Sequence, residues 1–120
     1  MKLNKYIFSC PYCDQILNNK EEIELKTLRD NGEVGTIYLA VNFGNYTYRH
    51  TPKVNFNQNE IVDFICPKCN TDLKSNQHTN FALLNMAVGN EINFEVIFSR
   101  QSGKRKTYVI TEDGIETYQG

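Results

Sequence analysis

A mainly β fold is what this sequence predicts, and three observations predict it. Apolar residues recur at every second position in several runs, most clearly Ile37, Leu39, Val41 and Phe43, and again Ile92, Phe94, Val96 and Phe98. Turn-forming pairs separate the runs, among them Asn31-Gly32, Gly44-Asn45 and Asp113-Gly114. Only Phe81–Val88 (FALLNMAV) admits a helix as readily as a strand, because periodicity does not decide a run this short. A small α+β arrangement is therefore the alternative to an all-β one.

The elements follow in order. Glu22–Arg29 places Ile23 and Leu25 on one face. Asp30-Asn31-Gly32 turns the chain, and Thr36–Phe43 returns, so the two runs form a β-hairpin. After Gly44-Asn45, Tyr46–Arg49 reads as a third short strand. Thr51-Pro52 and Asn55–Asn59 read as loop, and Glu60–Ile65 as a strand. Thr71–Asn80 is polar and loop-like, and Gly89-Asn90 ends the Phe81–Val88 run. Ile92–Phe98 and Lys106–Ile110 make another hairpin across Ser102-Gly103, and a short tail follows Asp113-Gly114.

The chain has 120 residues, which suits one domain, 1–120, with a first part over 1–73 and a C-terminal hairpin part over 81–120. At this size an ordinary hydrophobic core forms, so a metal would add to the core without replacing it. The formal net charge of −1 argues against a dominant nucleic-acid footprint. No apolar run approaches the ~20 residues that a membrane helix needs. The polar N-terminus MKLNKYIFSC does not read as a secretory signal, so the expected location is cytoplasmic.

Four cysteines fall into two pairs, Cys10/Cys13 and Cys66/Cys69. Paired cysteines in a reducing compartment mean metal or catalysis more often than disulfides. Residues 8–17 (FSCPYCDQIL) and 64–73 (FICPKCNTDL) share Phe-x-Cys-Pro-x-Cys-[Asp/Asn]-x-x-Leu, one small unit used twice. Each Cys-x-x-Cys turn presents two sulfurs on one side of a tight loop, and two such turns complete a tetrahedral zinc site. The 52 residues from 14 to 65 separate the pairs, but most of them are hairpin, which leaves a sheet and returns to it. Pro11 and Pro67 preset one backbone angle of each turn. Asp14 and Asn70 stand just past the second ligand, where a left-handed conformation is expected and Asx residues tolerate it. Phe8 and Phe64 are placed to cover the site.

These paired turns, each preceded by a strand, resemble the zinc knuckles of zinc-ribbon and rubredoxin-like domains, and more narrowly those of small prokaryotic zinc-ribbon proteins. The resemblance covers residues 8–17 and 64–73. It implies a zinc-ribbon-like fold of paired knuckles joined by β-hairpins, with one structural Zn2+ on Cys10, Cys13, Cys66 and Cys69. It specifies metal binding and leaves the biological role open. Iron also accepts four thiolates, and two chains sharing a metal is a further arrangement.

A different reading treats Cys-Pro-Tyr-Cys as a glutaredoxin-type active site, with Cys10 as nucleophile and Cys13 as resolving thiol. That chemistry wants a helix N-terminus at the tetrapeptide. Residues 14–20 carry a weak helix pattern, and the second Cys-Pro-x-Cys would have no use. A zinc deaminase would need His-x-Glu, which is absent. His50 and His78 read as strand-end or surface residues. Lys104, Arg105 and Lys106 form a basic hairpin tip, suited to phosphate in a nucleic-acid-binding ribbon or else to a solvated turn. Tyr38, Phe43, Tyr46 and Tyr48 form an aromatic stripe that could stack bases or else pair across strands. The expected function is a non-enzymatic binding or structural module, with another protein as partner.

Overall fold

A computed structural model describes residues 6–41, 47–88, 92–104, 106–111 and 114–119. The expected turns at Gly44-Asn45 and Gly89-Asn90 lie outside these residues, as do Phe43, Tyr46, Arg105 and Asp113. Among the described residues there are strands and turns and no helix. The strands are β1 (Tyr6–Ser9), β2 (Asn18–Asn19), β3 (Glu22–Leu28), β4 (Val34–Ala40), β5 (Tyr48–Thr51), β6 (Asp63–Ile65), β7 (Phe81–Val88), β8 (Ile92–Ser99), β9 (Lys106–Thr111) and β10 (Gly114–Gln119).

They form two antiparallel sheets. In the first, β3 pairs with β4 along one edge, β4 pairs with β5, and β2 and β6 lie end to end along the other edge of β3. In the second, the order is β1-β7-β8-β9-β10. Phe81–Val88 is thus a strand: Ala82, Leu84 and Met86 are buried, and the residues between them are only partly so. This is the period of two that a half-buried strand requires.

The two sheets are built to one plan. Leu25↔Ile37 in the first becomes Leu84↔Val96 in the second, and Tyr38↔Arg49 becomes Ile97↔Tyr108. Each pairing is carried over by a shift of 59 residues (25 to 84, 37 to 96, 49 to 108). The three-stranded meander β3-β4-β5 therefore recurs as β7-β8-β9. The knuckle segments recur at a shift of 56 (10 to 66). The difference lies in the connection to the meander, which is longer in the second half.

Each half also lends a strand to the other. β1 pairs with β7, with Phe8 opposite Met86, and β6 pairs with β3, with Phe64 opposite Thr27. Positions 27 and 86 are equivalents in the 59-residue scheme, so the exchange is reciprocal and in the same register. One buried cluster results, to which both halves contribute matched side chains: Phe8 and Phe64, Leu17 and Leu73, Leu25 and Leu84.

Several boundaries differ from the sequence expectation. The Glu33 carbonyl accepts from the Arg29 amide, so the hairpin closes at once and β4 starts at Val34 instead of Thr36. The third strand, expected over Tyr46–Arg49, runs on to Thr51 and is described from Tyr48. The strand expected from Glu60 begins only at Asp63, because Glu60 is engaged elsewhere. The Arg29 guanidinium donates to both Glu60 carboxylate oxygens, at 2.8 and 2.9 Å, with both side chains over 90% buried. The Asn57 amide also donates to Glu60 Oε1. The tail expected after Asp113-Gly114 is corrected to a strand. Gly114, at φ +137°, lies opposite Thr111, and β-branched Ile115 and Thr117 pair with Ile110 and Tyr108.

The halves differ at a buried polar feature built on Thr27. His50 Nδ1 lies 2.6 Å from the Pro52 carbonyl and so carries the proton, leaving Nε2 to accept from the Thr27 hydroxyl at 2.7 Å. The ring passes over Gly35, where a Cβ would stand 2.5 Å from His50 Cε1 and 2.7 Å from the Thr51 carbonyl oxygen. Position 35 corresponds to Phe94, and the polar pair Thr27 and His50 to Met86 and Val109.

Gly35→Ala is expected to cost about 1–3 kcal/mol, read from urea unfolding, since backbone as well as the ring must move. The Arg29 guanidinium holds the Glu60 carboxyl below its usual value of 4.5. Stability from this pair is thus fully present above that value and is lost as pH falls through the lower folded value. Glu60→Gln should unfold at lower urea than the parent at neutral pH. The two midpoints should converge as the pH is taken into the acid range.

Candidate metal centre

Each knuckle starts at the end of its donated strand. The Cys10 amide donates to Gln15 O, the Asp14 amide to Cys10 O, and the Leu17 amide to Phe8 O, at 3.1, 2.9 and 2.8 Å. The second knuckle repeats this with Cys66 to Thr71 O, Asn70 to Cys66 O and Leu73 to Phe64 O, at 3.0, 2.9 and 2.8 Å. The tight loop brings backbone amides onto the first sulfur of each pair. Tyr12 N lies 3.3 Å from Cys10 Sγ, and Lys68 N lies 3.3 Å from Cys66 Sγ. The Tyr12 donor favours the Cys10 thiolate, against the larger effect of burial.

Closing the loop in so few residues forces the backbone into the left-handed region just past the second cysteine. Asp14 has φ +62° and Asn70 φ +64°, as expected from their residue types. Asn70 Oδ1 also accepts from Lys26 Nζ at 2.8 Å, tying the second knuckle to β3 of the first half.

The four sulfurs meet, all within 4.8 Å of one another. Cys10 Sγ stands 3.7 Å from Cys69 Sγ, and Cys13 Sγ 3.8 Å from Cys66 Sγ. Both contacts cross between the knuckles, and each maps onto the other when the halves are exchanged. A tetrahedron with metal–sulfur bonds of about 2.3 Å has edges of ~3.8 Å, whereas a disulfide needs about 2.05 Å. The spacing is thus that of a four-thiolate metal shell. Phe8 and Phe64 are buried in the core beside it. Cys10 and Cys66 are fully buried, and Cys13 and Cys69 are partly exposed.

The electrostatics fit a site that needs a cation. Burial pushes the Cys10 thiol up to about 12. The Thr71 hydroxyl, 3.2 Å from Cys69 Sγ, pulls that thiol down to about 6, helped by the Thr71 amide. Four thiols so close cannot all ionise alone, and a bound divalent cation supplies the charge that lets them do so.

The remaining expected residues are not brought into this cluster. His50 is bonded to Thr27 and Pro52. His78 sits in the β6–β7 connection, exposed, with its amide donating to Ser75 Oγ. Lys104 and Lys106 are exposed at the β8–β9 turn. Tyr38 pairs with Arg49 and Tyr48 with Leu39, so these two aromatics point to opposite faces and do not form a single stripe. The Arg49 guanidinium lies over the Tyr38 ring at 4.3 Å and pairs with Glu22. No helix follows Cys13, since the chain turns into β2, so the tetrapeptide lacks the helix N-terminus that the redox reading requires. Sequence reasoning missed Thr71, whose hydroxyl is recognisable only once the knuckle is folded.

Compared with protein-family models, with curated proteins and with solved structures, the chain matches none. The four-cysteine arrangement therefore rests on this chain's own residues: two antiparallel sheets that position four cysteines so that they could hold a metal ion.

Asp14→Gly and Asn70→Gly are expected to leave stability nearly unchanged. Asp14→Val and Asn70→Val should each lose about 1–2 kcal/mol or more in urea unfolding, because a β-branched side chain is tolerated far less in the left-handed region than Asp or Asn. Equal losses for Gly and Val would place the penalty in side-chain bonding instead.

Proposed function

We propose that the protein is a small cytoplasmic binding module whose fold is held by one structural zinc ion, with another protein as its partner. The observation that carries the metal part is the four-sulfur shell with 3.7 and 3.8 Å edges. Four protein ligands leave no open position for a substrate or an activated water, which favours a structural over a catalytic ion. Zinc is favoured over iron as the redox-inert ion that structural four-cysteine sites ordinarily hold.

The protein partner is supported by the contrast between the outer faces of the two sheets. Side chains directly opposite one another in a ladder share a face, and those one residue apart do not. On the outer face of the first sheet stand Glu22, Glu24, Tyr38 and Arg49. The equivalent positions of the second sheet, 59 residues on, hold half-buried Phe81, Leu83 and Tyr108 around Ile97, which they leave only 5% exposed. Phe81 and Tyr108 contact ring to ring at 5.5 Å, and neighbouring Ile115 is 62% exposed. The fold accepts charge at these positions, so an apolar face there is not a packing requirement. Such a face suits burial against another protein.

The decisive measurement is metal content per chain on protein purified without added metal, with a thiol count under denaturing conditions. The expected result is about one zinc and four free thiols per chain. Chelation or Cys66→Ser should lower the unfolding midpoint and speed amide exchange over residues 8–17 and 64–73. Iron in place of zinc would keep the shell and change the ion. No metal, with Cys10 and Cys13 cycling to a disulfide near cytosolic potentials, would overturn the structural reading in favour of thiol-disulfide exchange.

A further inference from the structure

The space between the sheets is not filled at one end. A cleft of about 270 Å³ opens there, between the far ends of β4 and β5 and the segment that follows β8. That is just under the range of small-molecule pockets, about 300–1,000 Å³, so the cleft would take a compact ligand. Its walls carry aromatic rings from both halves: Tyr48 and Phe56, with centroids 6.1 Å apart, and Phe64 and Phe98, at 5.2 Å. Ring-lined walls favour a flat aromatic body, through offset and edge-to-face contacts.

The cleft also has an electrostatic sense. None of its lining residues is acidic, and two are cationic, Arg100 and Lys104. Lys104 is exposed, and no ion pair occupies it among the described residues. Arg100 is 92% buried; it donates to the Thr79 carbonyl and pairs with Asp63, and its Nε has no acceptor. A buried guanidinium with an orphan N–H opposes folding. The fold does not demand it, because the equivalent residue of the first half, 59 positions earlier, is Val41. Ser99 and Ser102 line the same side of the cleft.

We infer that this cleft binds a small aromatic acid, its ring between the aromatic walls and its anionic group at the exposed ammonium of Lys104. This site is separate from the four cysteines and does not depend on which ion they hold.

The test uses the full chain as purified, with the methyl signals of Ile37, Leu39 and Val62 followed by NMR. The probes are 2-naphthoate and its neutral counterpart 2-naphthalenemethanol. Saturable shifts of those methyls with naphthoate are expected, with the neutral probe about tenfold weaker, the size of one charged contact. Lys104→Glu, at an exposed position that leaves the core untouched, should weaken naphthoate about tenfold and leave the neutral probe unchanged. Shifts that do not saturate, or that fall away from the cleft, would overturn the site. Equal affinity for the two probes, or no effect of Lys104→Glu, would overturn its preference for an anion.

Discussion

Everything else in this molecule depends on the exchange of strands between its halves. β1 belongs by sequence to the first knuckle, yet its ladder partner is β7. β6 belongs to the second knuckle, yet it completes β3. Backbone groups at the free edges of the two central strands are thereby satisfied across the halves, which an unpaired edge would leave undone. The cysteines stand where the donated strands end, so the crossing that closes the sheets also gathers the four sulfurs. Metal binding and sheet closure are one geometric event. An ion held by these four sulfurs would take two ligands from each half and bear on the joint between them.

The two halves keep the same frame and spend it differently. Their inner faces match closely, with leucine on leucine and phenylalanine on phenylalanine in the shared core. Their differences lie where the frame leaves freedom. The first half carries a histidine locked between Thr27 and the Pro52 carbonyl, made possible by the missing side chain at Gly35. The second half fills the same volume with Met86, Phe94 and Val109. Outer faces diverge further, charged on one sheet and apolar on the other. A duplicated frame thus presents two unlike surfaces.

Much of the site was legible in the sequence because its constraints are local. The Cys-Pro-x-Cys spacing fixes the turn, and Asp14 and Asn70 mark the left-handed positions that the turn imposes. The hairpins were legible for the same reason, since alternation and turn pairs act over a few residues. The duplication beyond the knuckles was not. Ladder register is a property of pairs, and the outward members of those pairs have diverged as far as Glu22 and Phe81. The longer connection in the second half also breaks the 56-residue spacing that the knuckles display. β10 escaped notice because an edge strand with exposed side chains has no buried face to impose a pattern. The Arg29–Glu60 pair joins residues 31 apart through a fold that had first to be known.

The strand exchange has a consequence for how the chain is made. Translation delivers Cys10 and Cys13 well before Cys66 and Cys69, and β1 before its partner β7. At roughly 5–20 residues per second, the first pair of thiols waits several seconds for the second. During that interval the leading segment has half a coordination shell and a strand with no ladder. The four-thiol shell is complete only once Cys69 has been made, and the edge of β1 is paired only once β7 has followed. The N-terminal segment of the nascent chain therefore leaves the ribosome with open thiols and an unpaired strand, and both find their native partners only in residues made later.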